Sequence, residues 1–442
     1  MFDDFEYRST RAYLPLFIVG GLLIAFLTGR LTPIHVPDTH SYLEYPFGSL
    51  TGIGEAIRTP GYPIWLLFFK FTFGLKFVPA AQVVVHSIAA WAMFRELIRW
   101  GMGRTHASIV GFTIAIGCTA TDNISTISSD ALAASVGVMT VTCLLRWIRR
   151  GESRWSVILL SVVAIMLRPA YLFLIPWLFV ATLLLRKLVD GTWRGAIWPA
   201  IQMSGLLLIP LFGWMFFRFA AVGDFGMLPF GHQNLGGILV QLLNDDELQA
   251  LPGASGEVGS AVVQYKTQYD ADVGFAKGDF GATMTIDSRW DNMTYHVLIP
   301  AAKSVAVNQK NTTVHRTIAD MNKTIVKQYP MRYMKWLAKA ARRGAWAIAA
   351  NIVMHPVFLA AIAGSILLLI ARAVGSGFSV ESYADSISLR ALTIVTFTYL
   401  VTKLGFVVLT SPAIGRFSDA AAIFLPGWIA VVFLSWYLAP PE

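Results

Sequence analysis

The chain has 442 residues, 55% of them hydrophobic and only 14% charged, with a mean hydropathy of +0.59. Soluble domains carry about a quarter charged residues, so two or three water-exposed domains are excluded, and Phe 29, Trp 14 and Tyr 14 suit a chain that meets two membrane–water interfaces. The formal charge of +9 belongs with short basic loops beside anionic headgroups, and no nucleic-acid partner is expected.

A bilayer core of about 30 Å asks for about 20 apolar residues per helix. In chain order the expected spans are 13–28, 78–94, 106–121, 131–145, 155–185, 197–217, 347–370, 391–409 and 420–438. Arg168-Pro169 interrupts the run 155–185. Proline cannot continue the helical ladder, and the residue before it leaves the helical region. That run therefore divides in two. The fold class expected is an all-α polytopic membrane protein of about ten transmembrane helices.

Arg95, Arg99 and Arg104 cluster after the second span, Arg146, Arg149, Arg150 and Arg154 after the fourth, and Arg186, Lys187 and Arg194 after the sixth. The positive-inside rule puts these loops, and with them both termini, in the cytoplasm. The outer face then receives the loop 30–77, the turn 121–130 and the segment 221–344. The last is too long for a plain connector. It reads as an extracytoplasmic loop domain between an N-terminal transmembrane module, 1–220, and C-terminal transmembrane helices, 345–442. It closes on an amphipathic pattern, 314–343, of the kind that lies on a bilayer surface. The two cysteines provide no disulfide framework.

The first outer loop reads HVPDTHSYLEYPFGSLTGIGEAIRTPGYPIWLLFFKFTFG. It couples acidic residues to a cation, a rigid Pro-Gly-Tyr-Pro turn and an amphipathic stretch too short for a span. In order and spacing this resembles the bacterial polyprenyl-phosphate-sugar glycosyltransferases of the GT-C fold, including the protein-mannosyltransferase-like and lipid A aminoarabinose-transferase-like groups. The likeness is carried by Asp38 and Tyr42, then Arg58, Pro60, Tyr62 and Pro63, with Phe73-Gly74 closing a juxtamembrane helix. Further along, SSDALAASV, LRPAYLFLIP, QYPMRYMKWL and SPAIGRFSDAAAIFLP resemble the family's later outer turns and surface helix. The sequence departs from many relatives in having His35 and His40 around Asp38 instead of a second acid beside it.

The resemblance implies a multi-pass protein of a bacterial inner or plasma membrane with an extracytoplasmic active site. Its donor would be a polyprenyl-phosphate-linked sugar and its acceptor a hydroxyl of a glycan, lipid or protein. Asp38 is the expected general base, since the chemistry needs a carboxylate near the attacking hydroxyl. Arg58, Arg168, Lys403 and Arg416 are the expected partners of the donor phosphate. Arg168 and Lys403 interrupt apolar runs, where a charge is costly; Arg58 and Arg416 can equally anchor to headgroups. His40, Tyr42, Glu44, Tyr62 and Arg218 are further candidates. Asp130 has two readings, a helix cap or a site residue. No cofactor is required; a divalent ion at His35, Asp38, His40 and Glu44 is the one candidate, although their spacing fits no fixed zinc pattern. Two other functions share parts of this signature: a transporter or flippase of lipid-linked glycans, and an oligosaccharide polymerase. A transporter would be expected to show internal repeats, and none is visible.

Overall fold

Six helical segments are long and apolar enough to cross a bilayer: Thr10–Leu27, Leu75–Arg99, Asp130–Arg150, Pro169–Asp190, Trp193–Val222 and Ile387–Thr410. Two shorter apolar helices, Arg154–Leu167 and Ala420–Ser435, accompany them. The computed structural model describes residues 10–117, 122–152, 154–273, 286–353, 363, 386–413 and 419–437. Among these residues the secondary structure is helical apart from one isolated bridge, Ile34 with Thr126. The chain is an all-α protein with membrane-spanning helices.

The first helices are α1 (Tyr13–Leu27), three short helices α2 (Thr39–Leu43), α3 (Leu50–Glu55) and α4 (Gly61–Thr72), then α5 (Val78–Arg99) and α6 (Arg104–Ala115). α4 has one buried face, with Tyr62, Leu66 and Phe69, while Phe68, Phe71 and Phe73 are exposed, as expected of a helix half sunk in a membrane surface. α6 is 12 residues long, which at 1.5 Å per residue is about 18 Å and too short to span. The expected span 106–121 thus ends early, where Ile116 leaves helical geometry, and its last residues lie outside the described ones.

α7 (Asp130–Arg150) is the most enclosed of the long helices and packs against α5 and α8 (Arg154–Leu167). A 3-10 turn, Pro169–Phe173, separates α8 from α9 (Leu174–Asp190), so the run broken by Arg168-Pro169 is two helices. Arg168 is extended, with φ −151° and ψ 110°, the backbone that a following proline imposes. α10 (Trp193–Val222) carries Pro199 and Pro210 inside its length, which membrane helices tolerate when neighbours meet the freed carbonyls. Glycines in left-handed geometry close α7 at Gly151 and α9 at Gly191.

The segment after α10 builds a separate helical layer: α11 (His232–Leu239), α12 (Asp245–Gln249), α13 (Ala254–Val273), α14 (Ile286–Asn292) with a π-helical turn Met293–Leu298, α15 (Ile299–Val305) and α16 (Asn311–Gln328). Its own apolar core includes Leu239, Val258, Val262, Leu298, Ile318 and Met321. The single amphipathic helix expected over 314–343 is two helices, α16 and α17 (Pro330–Val353). Pro330 supplies no N–H and forces Tyr329 to φ −124°, ending α16. The apolar stripe of α16 faces the layer's core instead of lipid. α17 runs on through residue 344, so the boundary placed there falls inside a helix. Most of the expected span 347–370 lies outside the described residues.

α18 (Ile387–Thr410) returns beside α9, and α19 (Leu425–Tyr437) packs on α6. A small cluster of Ile238, Trp290, Trp336, Ala340, Val408 and Ala413 joins the helical layer to the end of α18.

Candidate functional site

The loop 30–77 and the turn 122–130 are tied together before any charged group is considered. Ile34 N–H donates to the Ser125 carbonyl at 2.8 Å, and Ile127 N–H donates to the Ile34 carbonyl at 2.9 Å. Thr39 Oγ1 donates to the Ile127 carbonyl, and Gln82 of α5 reaches the Ile124 carbonyl with its amide. Asp38 at the start of α2 is therefore fixed relative to Asp130 at the start of α7.

The Pro-Gly-Tyr-Pro turn then brings Arg58 to the same place. A Cβ at Gly61 would stand 2.5 Å from the Met166 carbonyl oxygen, so only glycine lets this turn lie against the end of α8. Arg58 donates from Nη2 to Asp38 Oδ1 at 2.7 Å and from Nε to Ser41 Oγ at 2.9 Å, with its guanidinium 4.8 Å above the Tyr42 ring. Burial disfavours the charge on Arg58, but Tyr42 and Asp38 outweigh that effect and leave its pKa above the ordinary arginine value.

Arg168, one residue before its proline, forms an ion pair with Asp130. Asp130 also accepts from Ser128 Oγ at 3.0 Å and stands in the first turn of α7, one residue after the N-cap position Ser129. Its carboxylate is spent on a cation from another helix. Lys403, 3% exposed in α18, donates to Tyr171 Oη at 3.2 Å and sits 4.3 Å over the Tyr171 ring. Gly137 makes this possible: a Cβ there would meet Tyr399 Oη at 2.7 Å and Tyr171 at 2.8 Å.

These residues border one cavity of about 1370 Å³. Asp38, Tyr42, Arg58, Asp130, Arg168 and Lys403 all line it, on the side of the membrane helices. The opposite wall is the helical layer, with Asp224, His232, Trp290, Tyr295, His315 and Arg316. Leu167, Leu172, Phe406 and Val407 continue the lining into the bundle. Binding pockets for one small molecule run to about 300–1,000 Å³; this space accommodates two reactants or one extended one.

The other candidates lie elsewhere. His40 and Glu44 pair with each other at 2.7 Å on an exposed face of α2 and do not line the cavity. Tyr62 is wholly buried, edge-on beneath Tyr42, so it supports the wall from behind. Arg218 is fully buried, donating to the Gly54 carbonyl at 3.1 Å and the Gly226 carbonyl at 2.6 Å and pairing with Asp224 at 2.8 Å. It holds α10, α3 and the following turn together. Arg416 lies outside the described residues. The set proposed for a divalent ion separates into the Asp38–Arg58 and His40–Glu44 pairs, and no three His, Cys, Asp or Glu side chains gather among the described residues.

Comparison with protein-family models, with curated proteins and with solved structures finds no match to this chain.

Sequence reasoning did not select the wall contributed by α11, α14 and α16. His232 and His315 face each other with ring centroids 4.5 Å apart. Burial, and then the neighbouring His232, lower the His315 pKa to about 4; burial and Lys323 lower that of His232. Asp224 joins Arg218 of α10 to Arg316 of α16, and Glu55 of α3 accepts from Thr312 N–H at 3.1 Å and Thr312 Oγ1 at 2.8 Å. The available signal was weak: a histidine and an arginine on the polar side of an amphipathic helix.

A depressed histidine pKa has a signed consequence. Between His315's folded value of about 4 and the unfolded value of 6.5, the unfolded chain binds more protons, so stability rises with pH through that window. Acidification from pH 7 to pH 4 is expected to cost up to about 3 kcal/mol at this residue. His315→Gln should flatten that part of the profile, which thermal unfolding across pH will measure. An unchanged slope would remove His315 as its source.

Proposed function

We propose that the chain is an integral membrane glycosyltransferase that moves a sugar from a polyprenyl-phosphate donor to an acceptor hydroxyl on the extracytoplasmic side of a bacterial membrane. One observation carries this reading. A carboxylate, Asp38, and three cations, Arg58, Arg168 and Lys403, come from separate elements to one cavity between membrane helices and an extramembrane layer. In the proposed reaction the acceptor oxygen attacks the anomeric carbon as the bond from that carbon to the phosphate oxygen breaks. Asp38 takes the hydroxyl proton as general base. Arg168 and Lys403 stabilise the negative charge gathering on the departing phosphate. The carboxylates of Asp38 and Asp130 favour positive charge developing on the sugar ring. Leu167, Leu172, Phe406 and Val407 offer the polyprenyl chain an apolar path from the bilayer.

The test is binding of polyprenyl phosphate without sugar. Lys403→Gln and Arg168→Gln are each expected to weaken it by about 1.5–3 kcal/mol, the worth of a charge-assisted hydrogen bond. Arg168→Lys should retain part of the affinity while sparing Asp130 an unpaired charge. Unchanged affinity in all three variants would remove the phosphate from this part of the cavity.

A further inference from the structure

The end of the bundle away from the cavity carries a second concentration of charge. α7 begins at Asp130 in the cavity and ends at Arg150, while α8 runs back from Arg154 to Arg168. At that far end Glu96 of α5 is 2% exposed and pairs with Arg99 at 3.2 Å and Arg149 at 3.1 Å. Arg95 lies beside it over the Trp91 ring at 4.4 Å, and Arg95 and Arg99 both feel the charge of Arg146. Arg146 has Glu152 at 3.8 Å, an exposed and long pair. Arg186 of α9 lies over Trp147 at 4.7 Å, with Asp190 at 3.9 Å.

Four guanidinium groups, those of Arg95, Arg99, Arg146 and Arg149, thus gather around the buried carboxylate of Glu96. Like charges gathered at a membrane edge repel and call for anionic compensation. Hydrogen-bonding capacity is left over as well: Arg146 Nε, Arg149 Nη2 and Arg186 Nε are buried and meet no acceptor among the described residues. Guanidinium groups with spare donors match phosphate oxygens in charge and geometry.

We propose that the Arg95, Arg99, Arg146 and Arg149 cluster is a binding site for a phosphate-bearing anion. The nearest source is the headgroup of an anionic phospholipid, because the cluster lies where membrane helices end and basic pockets there take lipid phosphates. A soluble phosphate compound offers the same chemistry. The proposal stands whether or not the cavity performs glycosyl transfer.

Full-length protein in detergent is titrated with phosphatidylglycerol or phosphatidylcholine, and bound lipid is counted by native mass spectrometry. A parallel arm titrates pyrophosphate and follows thermal stability. Phosphatidylglycerol is expected to bind at least about tenfold more tightly than phosphatidylcholine. Arg146→Gln with Arg149→Gln should remove that preference, each lost guanidinium weakening binding about tenfold. Arg332→Gln, on the extramembrane layer, should leave it unchanged. The double change removes one of the two Glu96 pairs, so Arg146→Gln alone, which keeps both, is the second variant; it should weaken binding about tenfold with the fold intact. A response to pyrophosphate that these variants lose, without lipid preference, upholds the site and assigns it to a soluble anion. No preference for either anion in the unmodified chain, or equal binding by the variants, overturns the proposal.

Discussion

Asp38→Asn is expected to reduce sugar transfer by 10²–10⁴-fold while leaving polyprenyl phosphate binding near normal. The factor is the usual contribution of a positioned general base. The substitution preserves shape, and the amide oxygen of asparagine can still accept from Arg58, now 2.7 Å from Asp38 Oδ1. What is lost is the capacity to take a proton. The measurement is single-turnover transfer to acceptor beside donor-phosphate binding in the same preparation. Transfer within about tenfold of the unmodified protein would take the base role away from Asp38. Arg58→Gln is the useful companion: it removes the charge that orients Asp38 and should lower transfer less than Asp38→Asn does.

Arg218→Met is the change with the largest expected effect on folding. The guanidinium is completely buried, donates to two backbone carbonyls and forms an ion pair with Asp224. Removing one member of a buried ion pair typically costs 3–5 kcal/mol, because the other charge stays behind unpaired. Arg316, 3.4 Å from Asp224, offsets part of that cost. A loss of about 3 kcal/mol or more in thermal or denaturant unfolding is expected, starting at the junction of α3, α10 and the turn after it. Pairing it with Asp224→Asn closes a double-mutant cycle, and the double variant should be less damaged than the sum of the two. Additive losses would show that the pair is not a unit.

Much of the membrane-helix pattern was legible because apolar runs of sufficient length leave little choice, and because Arg168-Pro169 is incompatible with one continuous helix. The end of α6 at Ala115 was not, since nothing in the hydrophobicity of the residues beyond it marks the change in backbone angles at Ile116. The helical layer after α10 was legible only as a long segment. Its helix α16 buries an apolar stripe against neighbours far away in the chain, and a hydrophobic face looks the same whether it meets lipid or protein. In the cavity, Arg168 and Lys403 are legible as charges in costly places, and Asp38, Arg58 and Asp130 through the resemblance; all five line it. Their pairing did not follow from position: the partner of Arg58 is 20 residues away. Arg218, a candidate from its place at the end of a span, serves the frame instead, because spacing does not distinguish a charge that faces a cavity from one enclosed by backbone carbonyls.

The contact of Glu55 with Thr312 joins residues 257 positions apart and helps fix the far wall against the near one. At 5–20 residues per second, synthesis separates them by roughly 10–50 s. Throughout that interval Glu55 lacks this partner, and Lys403 of the near wall is made later still. Whatever the cavity does begins only when the ribosome has nearly finished.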